Sequence, residues 1–293
     1  MTTPIAFRRD FRFEYARIEP VTPRVRRLVA RNPGPFTFTG TGTYILGQGK
    51  VAVIDPGPED ADHLRALLDG LPGETVTHIL ITHTHIDHSP LSRALAAHTG
   101  ARVFAHGPNP SSSSPDTGEA GGDTAFRPDE ILRDGDRLTG DGWSVEAVHT
   151  PGHASNHLCF ALPDEGILFT GDHVMGWSTT VISPPDGDMA AYVASLRRLL
   201  TRNDRCYLPT HGPRIDEPRA YVRSLIEHRL EREAEVLGAL DCGPASIEDI
   251  VARVYTDLPA TLVKAAGRSV RAHLIDLERR RRVRHEDGHY LKL

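Results

Sequence analysis

A histidine-rich segment that directly follows an apolar stretch constrains the fold of this chain more than any other feature. Residues 76–81 predict a buried strand, and the sequence Thr-His-Thr-His-Ile-Asp-His follows at once. A buried imidazole or carboxylate without a partner costs on the order of several kcal/mol. A divalent metal satisfies both groups, whereas the alternative is a histidine-rich surface loop. We predict a metal site whose first donors are His83, His85, Asp87 and His88.

Three later donors share one local arrangement, in which a predicted strand ends, a glycine or proline turn follows, and the donor appears. They are His153, Asp172 and His211. Sites in α/β proteins gather at the carboxyl ends of strands, so we expect these side chains to meet the first group. Five histidines and two aspartates suffice for two ions. We expect one ion at His83, His85 and His153, the other at Asp87, His88 and His211, and Asp172 between them.

Composition limits the kind of protein but does not name its function. The chain has 293 residues, 39% hydrophobic and 25% charged, which predicts an ordered protein with one large and one small domain. Its net charge of -5 disfavours a protein that coats nucleic acid or membrane with its whole surface. We find no apolar leader or membrane-length run, and three scattered cysteines fit a reducing compartment. We therefore expect a cytoplasmic protein without membrane contact.

Hydrophobic periodicity predicts an α/β first part of the chain. The segment from Gly107 to Pro128 contains four consecutive serines and few large apolar residues, so we predict a flexible insertion there. The predicted strands are 11–18, 25–30, 36–46, 51–54, 76–81, 101–105, 143–148, 158–162, 166–169 and 205–208. The predicted helices are 60–71, 90–98 and 189–200.

The C-terminal part has a different texture, with long helical patterns and few glycines. We predict helices over 218–240, 246–255 and 259–279, the last interrupted at Gly267, and a hairpin over 283–293. This order predicts a winged helix, with domains at residues 1–216 and 217–293. The arginines at 279–282 and 284, with Arg268 and Arg271, either form a solvated face or contact phosphates.

The pattern THTHIDH, TPGH, TGD and PTHG resembles the metallo-β-lactamase superfamily over residues 10–215. The resemblance implies an αββα sandwich with a dinuclear site at one edge, and it implies a role for Asp55 in supporting the metal loop as well as forming a turn. The run from Gly171 to Gly176, the His211-Gly212-Pro213 ending and the winged helix resemble the branch of the endoribonuclease β-lactamase-like protein 2. His149, His157 and His173 are further candidates for contact with ligands or substrate.

The predicted chemistry is hydrolysis. Two ions can share a bridging hydroxide and lower its pKa toward neutrality, with Asp87 and Asp172 as the catalytic carboxylates. We expect Zn²⁺, although ligand type does not distinguish it from manganese or iron. The resemblance favours cleavage of single-stranded RNA. The alternatives are a thioester or lactone hydrolase of the glyoxalase II type, and a nucleic-acid-binding regulator with a degraded metal domain. Basic side chains near Ser178 to Thr180 would favour RNA, and an apolar pocket would favour an acyl group.

Overall fold

Two β-sheets face each other in the computed structural model, which describes residues 5–108 and 121–293. The first sheet has seven strands in chain order. They are β1 (Glu19–Pro20), β2 (Val25–Val29), β3 (Gly42–Leu46), β4 (Lys50–Ile54), β5 (Thr75–Leu80), β6 (Arg102–Ala105) and β7 (Glu130–Ile131). Strands β1 to β4 pair antiparallel, and β4 to β7 pair parallel. Strand β5 therefore delivers the histidine-rich segment to the carboxyl edge of the parallel half.

The second sheet has five strands in the order β12-β11-β10-β9-β8. They are β8 (Arg137–Gly140), β9 (Trp143–His149), β10 (Leu158–Leu162), β11 (Ile167–Gly171) and β12 (Cys206–Pro209). All pairs are antiparallel except β11 with β12. A parallel pair needs a crossover connection, which α3 (Met189–Leu199) provides between β11 and β12.

Alternate side chains of the strands enter different layers. Tyr44 and Ile54 lie in the core between the sheets, whereas Ile45 and Val53 pack toward α1 (Ala61–Asp69) and α2 (Leu91–Thr99). The central strands β3, β10 and β11 are buried along their whole length because both of their faces are covered. Helix α3 covers the outer face of the second sheet. The predicted αββα sandwich is confirmed.

The C-terminal part contains α4 (Pro218–Gly238), α5 (Ile247–Val254), α6 (Val263–Arg279) and the hairpin of β13 (Val283–Glu286) and β14 (His289–Lys292). Ser246 and Asp249 cap α5 reciprocally, as their spacing predicts. Helix α4 begins one residue after the predicted domain boundary, but Val222 and Leu225 pack in the layer that contains α3, and Val236 packs with α5 and α6. The boundary between residues 216 and 217 stays a prediction.

Three predictions are wrong: the strand over 11–18, the start of the strand over 36–46, where β3 begins only at Gly42, and the interruption of the last helix. Residues 11–18 form no strand in the described chain, because Phe11, Phe13 and Tyr15 contact one another and Ala16 takes a positive φ of 60°. Helix α6 is also continuous through Gly267. A Cβ at this glycine would lie 3.7 Å from Ile247 Cγ2, so Gly267 lies at the contact between α5 and α6. Packing outweighs its helix penalty of about 1 kcal/mol.

The predicted flexible insertion falls largely on residues 109–120, which lie outside the described residues. Its described end packs on the histidine-rich segment. The Ile86 N–H donates to the Gly121 carbonyl over 3.0 Å, and the Asp123 N–H donates to the Thr84 carbonyl over 2.7 Å. This end of the segment is therefore part of the framework around the predicted site.

Candidate metal centre

The carboxyl ends of strands from both sheets bring the seven predicted donors together. The segment after β5 supplies four of them, and the turns after β9, β11 and β12 supply His153, Asp172 and His211. They form two groups in which one potential ligand atom from each residue lies within 4.8 Å of the others. The groups are His83, His85 and His153, and Asp87, His88, Asp172 and His211.

The first group consists of three imidazoles. His83 Nε2 lies 2.9 Å from His85 Nδ1, and His153 Nε2 lies 3.1 Å from the same nitrogen. Burial and neighbouring histidines lower the pKa of His83 well below its usual value, and burial lowers the pKa of His85 to about 3. Both rings are therefore neutral at pH 7, which is the form that binds a metal.

The second group combines two carboxylates with two imidazoles. His211 Nε2 lies 3.1 Å from Asp87 Oδ2 and 3.3 Å from Asp172 Oδ2. Burial opposes protonation of His211, but these carboxylates outweigh it and raise its pKa to about 10. Burial likewise opposes ionisation of Asp172, but His211 and His88 hold the pKa of its carboxyl well below the usual range. In the metal-free protein these carboxylates therefore keep His211 protonated, and an ion that binds here takes the place of that proton.

Asp172 lies between the two groups. Its Oδ2 lies 3.6 Å from His88 Nε2 in its own group and 3.9 Å from His153 Nε2 in the other. Its Oδ1 is buried without a hydrogen-bond partner. Asp172 falls in the second group, and a carboxylate shared between two ions stays a prediction.

The unsatisfied atoms of the second group fit a cation. His88 Nε2 and His211 Nε2 are buried without a hydrogen-bond partner, although carboxylate oxygens lie nearby. Buried polar groups without hydrogen bonds are rare and call for an explanation. An ion that accepts lone pairs from imidazole and carboxylate together provides one.

Asp55 fixes a residue of the second group, His88, through a buried hydrogen bond. Its Oδ2 accepts hydrogen bonds from His88 Nδ1, Thr82 Oγ1 and Thr210 Oγ1 over 2.9, 2.7 and 2.9 Å. Its Oδ1 accepts from the Thr82 backbone N–H over 2.8 Å. Because Nδ1 of His88 donates to Asp55, Nε2 is the nitrogen that can offer a lone pair to a metal in the site. Asp55 thus orients a donor as well as forming the turn after β4.

Backbone carbonyls orient two other histidines in the same way. His153 Nδ1 donates to the Val181 carbonyl over 2.8 Å, and His211 Nδ1 donates to the Gly40 carbonyl over 3.2 Å. Both rings then direct Nε2 toward the donor groups, as ligated histidines commonly do.

The structure adds Asp123, which the sequence analysis missed. Its Oδ2 accepts from Ser89 Oγ over 2.9 Å and from Arg93 Nη1 over 2.7 Å. It therefore fixes the chain just after His88 to the start of α2. No motif marked Asp123, because its partners lie thirty residues away, beyond a segment of low complexity.

The three uncertain histidines have different surroundings. His157 is buried, and its Nε2 accepts from the Asp172 N–H over 3.2 Å, so it contacts a predicted donor residue through its backbone. His173 is also buried, packs on Tyr192 and has no hydrogen-bond partner at either ring nitrogen. His149 stacks on His106 and contacts the Ser155 carbonyl.

A cavity of about 180 Å³ opens over the donor groups. His85 and Asp172 line the cavity together with residues of the C-terminal part. These C-terminal residues include Tyr255, Leu258 and Leu262. The winged-helix part therefore helps to build the cavity over the site.

Comparison with known families shows which family this chain belongs to. Residues 37–211 match the model of the metallo-beta-lactamase superfamily, and residues 246–290 match that of the beta-lactamase associated winged helix domain. The chain belongs to the metallo-beta-lactamase superfamily. It is therefore a hydrolase of this superfamily with a C-terminal winged helix, and the predicted regulator with a degraded metal domain is not supported.

Individual superfamily members match most of the chain. The beta-lactamase-like protein 2 homolog of Drosophila melanogaster is 33% identical, and the match covers 90% of this chain and 91% of that protein. An atrochrysone carboxyl ACP thioesterase of a Cryptosporiopsis species is 32% identical over 76% of this chain and 65% of its own length. The chain thus spans about two thirds of the fungal relatives it matches.

A solved metallo-beta-lactamase family protein from Thermus thermophilus shares the fold of this superfamily member. Its TM-score is 0.77 at 24% identity, and the match covers 94% of this chain and all of that chain.

Among the described residues, no helix combines the length and the apolar character needed to cross a membrane.

Proposed function

We propose that this superfamily member hydrolyses acyl thioesters or related esters with two divalent ions, most simply Zn²⁺. His83, His85 and His153 would hold one ion, and Asp87, His88 and His211 the other, with Asp172 shared. When bound, such ions lower the pKa of a water molecule toward neutrality and polarise the carbonyl under attack. In the reaction, the acyl C–S or C–O bond breaks, water supplies the new carboxylate oxygen, and the leaving group takes up a proton.

The lining of the cavity is the observation that carries the choice of substrate. Its C-terminal side presents Leu258, Leu262, Ala265 and Ala266, and Met175 adds to the apolar surface. Apolar walls with few convergent polar groups are typical of sites for small ligands. An acyl chain fits the apolar side of this cavity better than the flanking phosphates of an RNA strand, whose charges would lose water there without gaining a partner.

Basic groups near the site are few and partly engaged. Arg229 lines the cavity, but its Nη2 donates to the Thr180 carbonyl. Thr180 Oγ1 in turn donates to the Asp172 carbonyl over 2.7 Å. Arg229 therefore positions the chain beside Asp172, and the cavity has little other positive charge for a phosphate to bind.

Similarity to named thioesterases supports the same substrate class. The fungal relative named as an ACP thioesterase aligns over 232 residues. Because this chain spans only part of that relative, we carry over the type of bond cleaved and leave the acyl group open.

Cleavage of single-stranded RNA is the second candidate. It is favoured by the match with the beta-lactamase-like protein 2 homolog over nine tenths of both chains. Of the C-terminal arginines predicted to contact phosphates, three pair with carboxylates, whereas Arg268 and Arg271 have no carboxylate oxygen within 4 Å in the described chain. Arg279 pairs with Asp188, Arg280 with Glu233, and Arg284 with Glu286.

The test compares both bonds in one preparation. Zinc-loaded wild-type protein is assayed with hexanoyl-N-acetylcysteamine, with thiol release followed by a disulfide dye, and with a fluorescent single-stranded RNA. The variant Asp172→Asn removes the shared carboxylate, and Asp69→Asn is the matched control because Asp69 is exposed at the end of α1.

We expect thioester turnover in wild type and in Asp69→Asn, and a loss of at least about 100-fold in Asp172→Asn, the scale on which removal of one transition-state contact acts. RNA cleavage that depends on Asp172, without thioester turnover, would overturn the proposal and favour the second candidate.

A further inference from the structure

A second cavity of about 590 Å³ lies on the winged-helix part between α5 and α6. We call it the α5–α6 groove. Val251 and Ala252 of α5 and Val263 of α6 supply apolar lining. Lys264, Arg268 and Arg271 also line it. Concave shape, apolar walls and a few converging charges are the general features of a small-ligand site.

The three cations lie on one face of α6, because residues spaced by four and then three positions are neighbours on a helix surface. Within residues 5–108 and 121–293, none of them lies within 4 Å of a carboxylate oxygen, whereas Arg279 and Arg280 further along the chain are paired. Arg268 Nη1 is buried without a hydrogen-bond partner. Glu248 is the acidic residue of the described lining, so the groove holds three cations against one carboxylate, and none of the three forms an ion pair in the described chain.

The groove and the cavity over the donor groups share a wall. Tyr255 and Leu258 line both. The two cavities are therefore neighbours, with Tyr255 and Leu258 at their common boundary.

We propose that the α5–α6 groove binds the phosphate-bearing nucleotide end of an acyl thioester such as acyl-coenzyme A, while the acyl end enters the cavity over the donor groups. This inference rests on the proposed thioester hydrolysis and specifies the thiol that carries the acyl group. Arginine and lysine are the usual partners of phosphate groups, and the apolar lining offers a surface to a nucleobase.

A nucleic-acid strand is a poorer occupant of the same groove. Proteins that bind single strands use a basic groove with aromatic platforms on which bases stack. Tyr255 is the aromatic side chain of the described lining, and the Arg232 guanidinium already covers its ring at 4.3 Å from the centroid.

The test separates the phosphate end from the reacting end. Hexanoyl-coenzyme A and hexanoyl-N-acetylcysteamine carry the same thioester, but only the first carries phosphates. The triple variant Lys264→Gln, Arg268→Gln and Arg271→Gln removes the charge of the groove. The matched control is Lys50→Gln, Arg133→Gln and Arg223→Gln, which removes three exposed positive charges elsewhere.

We expect the groove variant to raise KM for hexanoyl-coenzyme A by about tenfold or more, since charge-assisted hydrogen bonds are each worth roughly a factor of ten. Its kcat, and its KM for hexanoyl-N-acetylcysteamine, should stay unchanged. The control variant should match wild type with both substrates. Equal KM values for the two thioesters in wild type, unaffected by the groove variant, would overturn the inference and leave the proposed function intact.

Direct binding keeps the inference testable if no thioester is hydrolysed. Coenzyme A is titrated into wild type and both triple variants by calorimetry, together with a single-stranded RNA of mixed sequence. Binding of coenzyme A that is weakened only in the groove variant supports the groove whatever bond the site cleaves. The inference is overturned if coenzyme A does not bind. It is also overturned if the three cations are needed for binding of RNA but not of coenzyme A.

Discussion

Replacing Asp55 with asparagine tests how strongly the buried framework controls metal binding. The Asp55 carboxylate is fully buried and accepts four hydrogen bonds from three residues, Thr82, His88 and Thr210. The backbone N–H of Thr82 cannot reverse its direction, so the new amide oxygen must stay on that side. The amide nitrogen then faces His88 Nδ1 and the two threonine hydroxyls.

The hydroxyl groups can rotate to accept from this nitrogen, but His88 has a harder adjustment. Its Nδ1 must accept, so its proton moves to Nε2, the atom directed at Asp87 and Asp172. A protonated Nε2 cannot bind a metal. We expect the affinity of the second group for Zn²⁺ to fall by about 10- to 100-fold, the effect typical of residues that orient a ligand. The metal-free protein should lose about 2 kcal/mol, because charge-assisted hydrogen bonds become neutral.

The assay is a titration of metal-free protein with Zn²⁺ in competition with a chromophoric chelator, accompanied by urea unfolding of the metal-free form. Asp69→Asn is again the control. If a folded Asp55→Asn protein binds both Zn²⁺ ions within twofold of the wild-type affinities, the argument that Asp55 fixes the proton of His88 is refuted.

Three further predictions use other parts of the structure. Removal of metal with a strong chelator should abolish hydrolysis, and Zn²⁺ should restore it, whereas activity in metal-free protein verified by mass spectrometry would contradict the site. Burial lowers the pKa of His63 from its ordinary value of 6.5 to about 4. As the pH falls below 6.5, the unfolded state takes up this proton before the folded state does. The free energy of unfolding therefore decreases until the pH reaches about 4. Measured by urea unfolding, the drop in the free energy of unfolding between pH 7 and pH 4.5 should be about 2–3 kcal/mol smaller in His63→Gln than in wild type. His273 is buried, and neither of its ring nitrogens has a hydrogen-bond partner in the described chain. The variant His273→Leu should therefore raise the free energy of unfolding by about 1–2 kcal/mol. A free energy of unfolding below that of wild type would show that the ring has a partner.

Sequence patterns predicted the sheets and the groups of donors because the signals are local. An apolar run such as 76–81 is buried on both faces, and a donor that follows such a run lies at a sheet edge whatever the details of packing. The element predicted at 11–18 failed because alternation of Phe11, Phe13 and Tyr15 indicates ring contacts as readily as a strand. Asp123 and the C-terminal wall at Leu258 depend on contacts between distant parts of the chain, and no local pattern encodes them.

The donors come from both sheets, and this has a consequence for how the protein matures. The segment after β5 belongs to the first sheet, whereas Asp172 and His211 follow strands of the second. A chain emerging from the ribosome has the first four donors long before His211, yet the second group is incomplete until β12 pairs with β11. Tight uptake of metal at this group therefore marks the docking of the two sheets and adds its binding energy to the folded state alone. Scarcity of metal would then act on this protein first as a shortage of folded molecules and only second as a loss of catalysis.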